Sequence, residues 1–227
     1  MTNKVLITFQ IIFGLCFSEH IINPNYALLK TLNDNSSWIL NDLSNDSIYI
    51  SSKKIDGSNL SAIKVEKEIY ANPIVIRDIL MDVDNYHQFV SNPELFQSKV
   101  VDSSENSLVA YQRIIIDVPM IDDRDYFFSM TTLPIEVTDT TILCHWMLLD
   151  PNQIDFRFKR DDRITYLKQG AGIWKTENLG PNKIKISYAL YMHPGGYIPN
   201  FLIDIINERS ILNLFNDVLK EINRRKI

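Results

Sequence analysis

Residues 183–225 read KIKISYALYMHPGGYIPNFLIDIINERSILNLFNDVLKEINRR and join a strand to a long helix. Lys183–Met192 reads as a strand, entered through the turn Gly180-Pro181-Asn182. From about Pro199 the period changes. Phe201, Ile205, Leu212, Phe215, Leu219 and Ile222 recur at steps of three, four or seven, which draws one continuous apolar stripe along a long helix. Gly195-Gly196 lies between strand and helix, and glycine accepts the positive φ that a sharp reversal needs. Pro199 suits the first turn of the helix that follows. A helix with one apolar stripe has to bury it against another layer.

That layer is read upstream. Phe96–Asp102, Leu108–Val118, Arg124–Leu133, Thr141–Leu149 and Arg163–Trp174 are strand-like, and with Lys183–Met192 they form a six-stranded antiparallel run. Asp122-Asp123 and Asp150-Pro151-Asn152 mark turns between them. Ser47–Ile55 and Leu60–Tyr70 alternate on either side of Asp56-Gly57, a strong hairpin signal. Pro73 opens a helix carrying Ile74, Ile76, Ile79, Leu80 and Val83, and a second short helix around Tyr86–Val90 ends before Pro93. Residues 24–43 carry a weaker helical pattern. Strands in a run followed by a helix imply an α+β fold with the helix on one sheet face. So many strands must curl or split to close their edges. A curved antiparallel sheet wrapped around the long C-terminal helix leaves an apolar cavity between the two. No repeat or linker divides residues 24–227, which read as a single domain.

Composition agrees with a large core. Of 227 residues, 45% are hydrophobic, too many for a disordered chain. The balance of 23 basic and 28 acidic residues, net charge -5, argues against a nucleic-acid footprint. Seven glycines, with no G-x-G-x-x-G and no G-x-x-x-x-G-K-[ST], leave no phosphate-cradling loop. The N-terminal residues 1–18 place Lys4 before the apolar run Val5–Phe17 and small residues near Ser18, the pattern of a secretory signal peptide. Cleavage there implies an exported protein, periplasmic or secreted. Retention implies a cytoplasmic or membrane-associated one. After cleavage Cys144 is the only cysteine, so no internal disulfide and no thiolate metal cluster form.

Several short motifs add to the pattern. Trp38-Ile39-Leu40 is followed by Ser47-Ile48-Tyr49-Ile50, and Asp82-Val83-Asp84-Asn85-Tyr86 sits at the junction of the two helices. Asp123-Arg124-Asp125-Tyr126 opens a central strand, Gly170-Ala171-Gly172-Ile173-Trp174 lies in a later one, and His193-Pro194-Gly195-Gly196-Tyr197-Ile198-Pro199 precedes the last helix. In this order and spacing, from Trp38 to the C-terminal helix, the chain resembles the START (steroidogenic acute regulatory protein-related lipid transfer) domains of the Bet v 1-like, helix-grip superfamily. The resemblance implies one lipid enclosed in a tunnel and exchanged when the last helix and a neighbouring loop move. It implies a lipid partner, transient membrane contact, no cofactor and no chemistry, in a protein read as a monomer.

On alternation, Tyr126, Phe128 and Met130 form one cavity-facing set, with His145 and Met147 on the adjacent strand and Leu190 and Met192 on the last. Phe201, Leu202 and Ile205 face in from the lid helix, and Gly195 and Gly196 form its hinge. Arg113 precedes Ile114-Ile115-Ile116. It either meets a lipid phosphate or carboxylate, or an internal acid such as Asp117, or points outward. Arg124 and Asp125 read as an ion pair fixing a turn, with a sheet-edge or surface position. Arg224, Arg225 and Lys226 close the last helix, complementing its dipole or touching an anionic membrane. Phe127-Phe128-Ser129-Met130-Thr131-Thr132 has no charge at its centre, which fits an apolar ligand held mostly by shape.

The enzyme alternative is a polyketide aromatase or cyclase on the same scaffold, which needs an acid or base from His145, Tyr111 or Arg113. Against it, none of the four histidines pairs with another at i+3 or i+4, and H-E-x-x-H, C-x-x-C and G-x-S-x-G are absent. No metal site is expected.

Overall fold

The computed structural model describes residues 23–43, 46–116, 121–133, 140–153, 161, 163–196 and 200–225, with the side chains of 140, 153 and 200–208 left aside. The expected signal segment therefore lies outside the described residues. The first helix, α1 (Asn25–Asn33), stops well short of residue 43. The chain then forms an edge strand, β1 (Ile39–Leu43), where a helix was expected. The reason is local. The Asp34 carboxylate accepts from the backbone N–H and hydroxyl of Ser36, an Asx turn competing with helix continuation, and Ser37 sits at φ +63°. That pair of Ser36 bonds, with Lys53 beside them, holds the Asp34 carboxyl down at about 2.

β2 (Tyr49–Lys54) and β3 (Ser61–Tyr70) form the expected hairpin, with Gly57 at φ +73° in its turn. α2 (Pro73–Met81) starts at Pro73, and the Asn72 side chain caps it by accepting from Ile74 N–H. Two 3-10 turns follow, Val83–Gln88 and Pro93–Leu95. Then come β4 (Phe96–Ser103), β5 (Ser107–Ile114), β6 (Arg124–Thr132) and β7 (Thr140–Leu148). The segment expected as one strand over 163–174 is two. β8 (Thr165–Tyr166) pairs parallel to the start of β6, and β9 (Gly170–Gly180) joins the antiparallel sheet. Between them the buried Asn25 side chain donates to the carbonyls of Leu148 and Lys168 and accepts from Gly170 N–H, satisfying a corner that no ladder reaches. β10 (Lys183–Met192) and α3 (Asn200–Arg225) complete the chain.

The sheet order is β1-β2-β3-β10-β9-β7-β6-β5-β4, with β8 beside β6. The hairpin is thus not separate from the later strands: β3 pairs with β10 from Ile63 to Tyr70 and makes one curved sheet. Each face carries a core. On one, α1 buries Leu28, Leu29 and Leu32 against Ala171, Ile173, Ala189 and Tyr191. On the other, α3 buries Ile211, Phe215, Val218 and Ile222 with Trp174 and Tyr188 of the sheet. This is the α+β helix-grip architecture expected from the sequence.

The C-terminal half of α3 is tied down by charge as well as packing. Asp217, only 3% exposed, accepts from the backbone N–H (2.5 Å) and hydroxyl (2.8 Å) of Ser91. Glu221 accepts from Arg224 at 2.7 Å through both oxygens, and from Arg225 at 2.7 Å. Arg225 also reaches Asp82, just past α2, at 3.0 Å. Arg224 and Arg225, expected to complement the helix dipole or to touch an anionic membrane, are thus ion-paired with Glu221 and Asp82, and Lys226 lies outside the described residues.

Candidate functional site

Between α3 and the sheet lies a cavity of about 320 Å³. Its size is at the lower end of the range for pockets that enclose one small molecule. Alternation builds its sheet wall. Tyr126, Phe128 and Met130 of β6 line it, as do Tyr188, Leu190 and Met192 of β10. Gln112 of β5, Trp146 of β7 and Trp174 of β9 fill the same wall. The opposite side comes from α3 through Ser210, Ile211, Asn213, Leu214, Asp217 and Val218. Leu80, Tyr86, Val90, Ser91 and Phe96 close one flank.

The aromatic groups interlock. The Trp174 ring stacks on Tyr188 at 4.1 Å and on Phe215 at 5.8 Å, so both its faces are covered. Phe128 meets Trp146 edge-on at 6.2 Å. The polar side chains of the sheet wall are neutral and meet in two pairs: Tyr126 OH donates to Gln112 Oε1 at 2.6 Å, and Trp146 Nε1 donates to Tyr188 OH at 3.1 Å. Tyr86 OH donates to the Leu80 carbonyl. Burial pushes the hydroxyls of Tyr86, Tyr126 and Tyr188 up, because a phenolate there loses its hydration, and all three stay protonated.

Four of the sequence-selected positions do not join the cavity wall. His145 and Met147 lie on the opposite face of β7, Met147 packing in the cluster around α1. Ile142 packs in that same cluster, five residues before Met147. A regular strand would put the two on opposite faces, and the bulge between Ile142 and Cys144 absorbs the odd step. The β7 residue in the wall is Trp146, directly opposite Met130 of β6, and not His145 or Met147. The His145 imidazole is half-buried, and its pKa is lowered by desolvation. Arg113 points away from the cavity and pairs with Asp123, its Nη2 2.6 Å and its Nε 3.1 Å from Oδ2. Asp123 raises the pKa of the guanidinium, and Asp117 lies outside the described residues. Tyr111, also off the cavity, donates to Asp125 at 3.3 Å and packs on Phe127. Phe201, Leu202 and Ile205 belong to α3, and their side chains lie outside the described residues.

The hinge pair adopts left-handed backbone, with φ +60° at Gly195 and +58° at Gly196. A Cβ on Gly195 would stand 3.1 Å from Thr165 Cγ2. Arg124 is not at the surface, being 3% exposed. Its guanidinium donates to the carbonyls of Pro194 (3.0 Å), Gly195 (3.2 Å) and Asp122. Burial lowers its pKa. A buried cation from the start of β6 therefore holds the two residues that begin the turn into α3.

Sequence reasoning missed Trp146, Tyr188, Gln112 and the Ser91–Asp217 pair. Tyr188 was within reach, two residues before Leu190 on the same alternation. Gln112 is the β-partner of Tyr126. Ser91 and Asp217 are 126 positions apart and carry no local signal. Among the described residues no helix is long and apolar enough to cross a membrane, and no group of three or more His, Cys, Asp or Glu is placed to hold a metal ion.

Comparison with known proteins agrees with this geometry. The chain has the START helix-grip fold: it superposes on a STAR-related lipid transfer protein from Xanthomonas axonopodis with a TM-score of 0.68, at 15% identity over 82% of this chain and 99% of that one. In sequence it is similar to the mouse (Mus musculus) phosphatidylcholine transfer protein, 23% identical over 152 residues. That match spans 66% of this chain and 66% of the mouse protein's length. The Zhui aromatase/cyclase from Streptomyces sp. R1128 shares the fold more distantly, with a TM-score of 0.52 at 12% identity over 73% of this chain and 95% of that one. No family model matches the chain.

Proposed function

We propose that this protein binds one lipid in the cavity under α3 and carries it between membranes, with the N-terminal part of α3 as the lid. The observation that carries the reading is an apolar, aromatic-walled cavity lying between a curved sheet and a helix whose C-terminal half is pinned through Asp217 and Arg225. Two glycines in left-handed backbone precede the other end. Each acyl CH₂ moved from water into such a site contributes about 0.8 kcal/mol. Membrane contact is transient in this scheme, the protein acts as a monomer, and export follows if residues 1–18 are cleaved.

The aromatase/cyclase reading is disfavoured, because His145, Tyr111 and Arg113 all lie off the cavity wall. Purified protein incubated with vesicles carrying fluorescent lipid should withdraw the probe and deliver it to acceptor vesicles. Protein that holds no lipid on purification and withdraws none would overturn the proposal.

A further inference from the structure

The cavity wall has an uneven distribution of charge. Among the described residues that line it, no Lys, Arg or His appears, and Asp217 is the only ionisable carboxylate. Its oxygens are already bound by Ser91 and approached by Lys220 at 3.3 Å. A phosphodiester or fatty carboxylate brought here would be stripped of water with no counter-charge, beside a carboxylate of its own sign. A quaternary ammonium would be attracted to an open aromatic face. Of the two indoles in the wall, Trp174 has both faces covered by Tyr188 and Phe215, and Trp146 lies with one face against Gly172.

Neutral hydrogen-bonding capacity remains. Gln112 Oε1 is taken by Tyr126 OH, while the Gln112 Nε2 group has no partner among the described residues and both its N–H donors are free. Tyr126 Oη, having given its proton to Gln112, keeps lone pairs that accept. Side by side on β5 and β6, these two groups present a donor and an acceptor together, which is what a hydroxyl requires. Tyr188 accepts from Trp146 and retains its own O–H as a second donor on the wall.

Resting on the lipid-carrier reading, we infer that the ligand is a lipid with an uncharged, hydroxyl- or carbonyl-bearing head, held at the Gln112–Tyr126 pair, and not a phospholipid. The site selects against phosphate because the described residues that line it offer no cation, and selects for a neutral oxygen because their free groups are an amide N–H and a phenol oxygen.

The test uses the full chain and phosphatidylcholine donor vesicles containing one labelled lipid each: a fluorescent sterol, a fluorescent diacylglycerol, a fluorescent phosphatidylcholine or a fluorescent phosphatidic acid. Uptake of the sterol or the diacylglycerol at least about tenfold above both phospholipids is expected, that being the scale of a lost charge-matched partner. Preferential uptake of either phospholipid overturns this head-group assignment while leaving lipid carriage intact. Uptake of none of the four overturns lipid carriage itself. Gln112→Leu should weaken the hydroxyl-bearing probe about three- to tenfold and leave a matched probe lacking that hydroxyl unchanged. Equal weakening of both probes would show that Gln112 only supports the wall, and would remove it from recognition.

Discussion

The indole of Trp146 lies across Gly172, so that a Cβ on that glycine would stand 2.4 Å from Nε1 and 2.6 Å from Cε2. The two are direct partners on β7 and β9. The missing side chain lets the ring lie against the sheet, reach Tyr188 and still form cavity wall. Gly172→Ala should therefore destabilise the protein by about 1–3 kcal/mol, since overpacking forces the ring or the strand to move. Urea denaturation followed by tryptophan fluorescence measures it. Trp146→Phe in the same chain should recover part of the loss, and a strictly additive double mutant would show that the two sites do not interact.

The hinge can be tested through its backbone. Gly196→Ala places a Cβ at φ +58°, a conformation costing a side-chain residue about 1 kcal/mol or more. The expected result is a slower lipid transfer rate with equilibrium affinity changed much less. Equal transfer rates in the two proteins would remove the hinge role.

Arg124→Gln frees the carbonyls of Pro194 and Gly195 from a charged donor. Hydrogen bonds to charged groups contribute about 1.5–3 kcal/mol each. The junction should loosen, read as faster hydrogen exchange over residues 193–196 and faster probe release. Unaltered exchange there would mean that packing alone holds the turn.

Glu221 gives a pH dependence of definite sign. Bonds from Arg224, and from Arg225 as well, hold its carboxyl at about 2, below the ordinary 4.5. A lowered folded pKa means stability that is fully present above the ordinary value and is lost as pH falls from there towards 2. The Tm difference between the parent protein and Glu221→Gln should be widest near neutral pH and shrink between pH 4.5 and 2. A constant difference across that span would contradict the assignment.

His145 separates binding from chemistry. It lies off the cavity, so His145→Ala should leave lipid uptake within about twofold, whereas Phe128→Ala opens the wall and lowers stability by about 3–5 kcal/mol. Loss of uptake in His145→Ala at unchanged Tm would place that residue in the site after all.

Much of this architecture was legible from local pattern. The stripe from Phe215 to Ile222, the Asp56-Gly57 hairpin, the Pro73 helix start and the alternation of Tyr126, Phe128 and Met130 each depend on neighbours within a few residues. Legibility failed where geometry shifts by one residue or where partners are distant. Residues 39–43 form a strand because Asp34 and Ser36 end the helix early, which a weak apolar period does not reveal. β7 presents Trp146 because its register sets that residue directly opposite Met130 of β6.

From the sequence alone came the strand run, the gripping helix, the glycine pair and the resemblance to START domains, all carried by side-chain period and backbone permissiveness. Tertiary structure decided which face each strand turns inward, that Arg124 is buried on the hinge carbonyls, that Asp217 meets Ser91, and that the donors which the described residues bring to the cavity wall are neutral. Those facts depend on which residues meet across the sheet and along α3. Burial and pairing are properties of that assembled arrangement, and a side chain's own neighbours in the chain do not determine them.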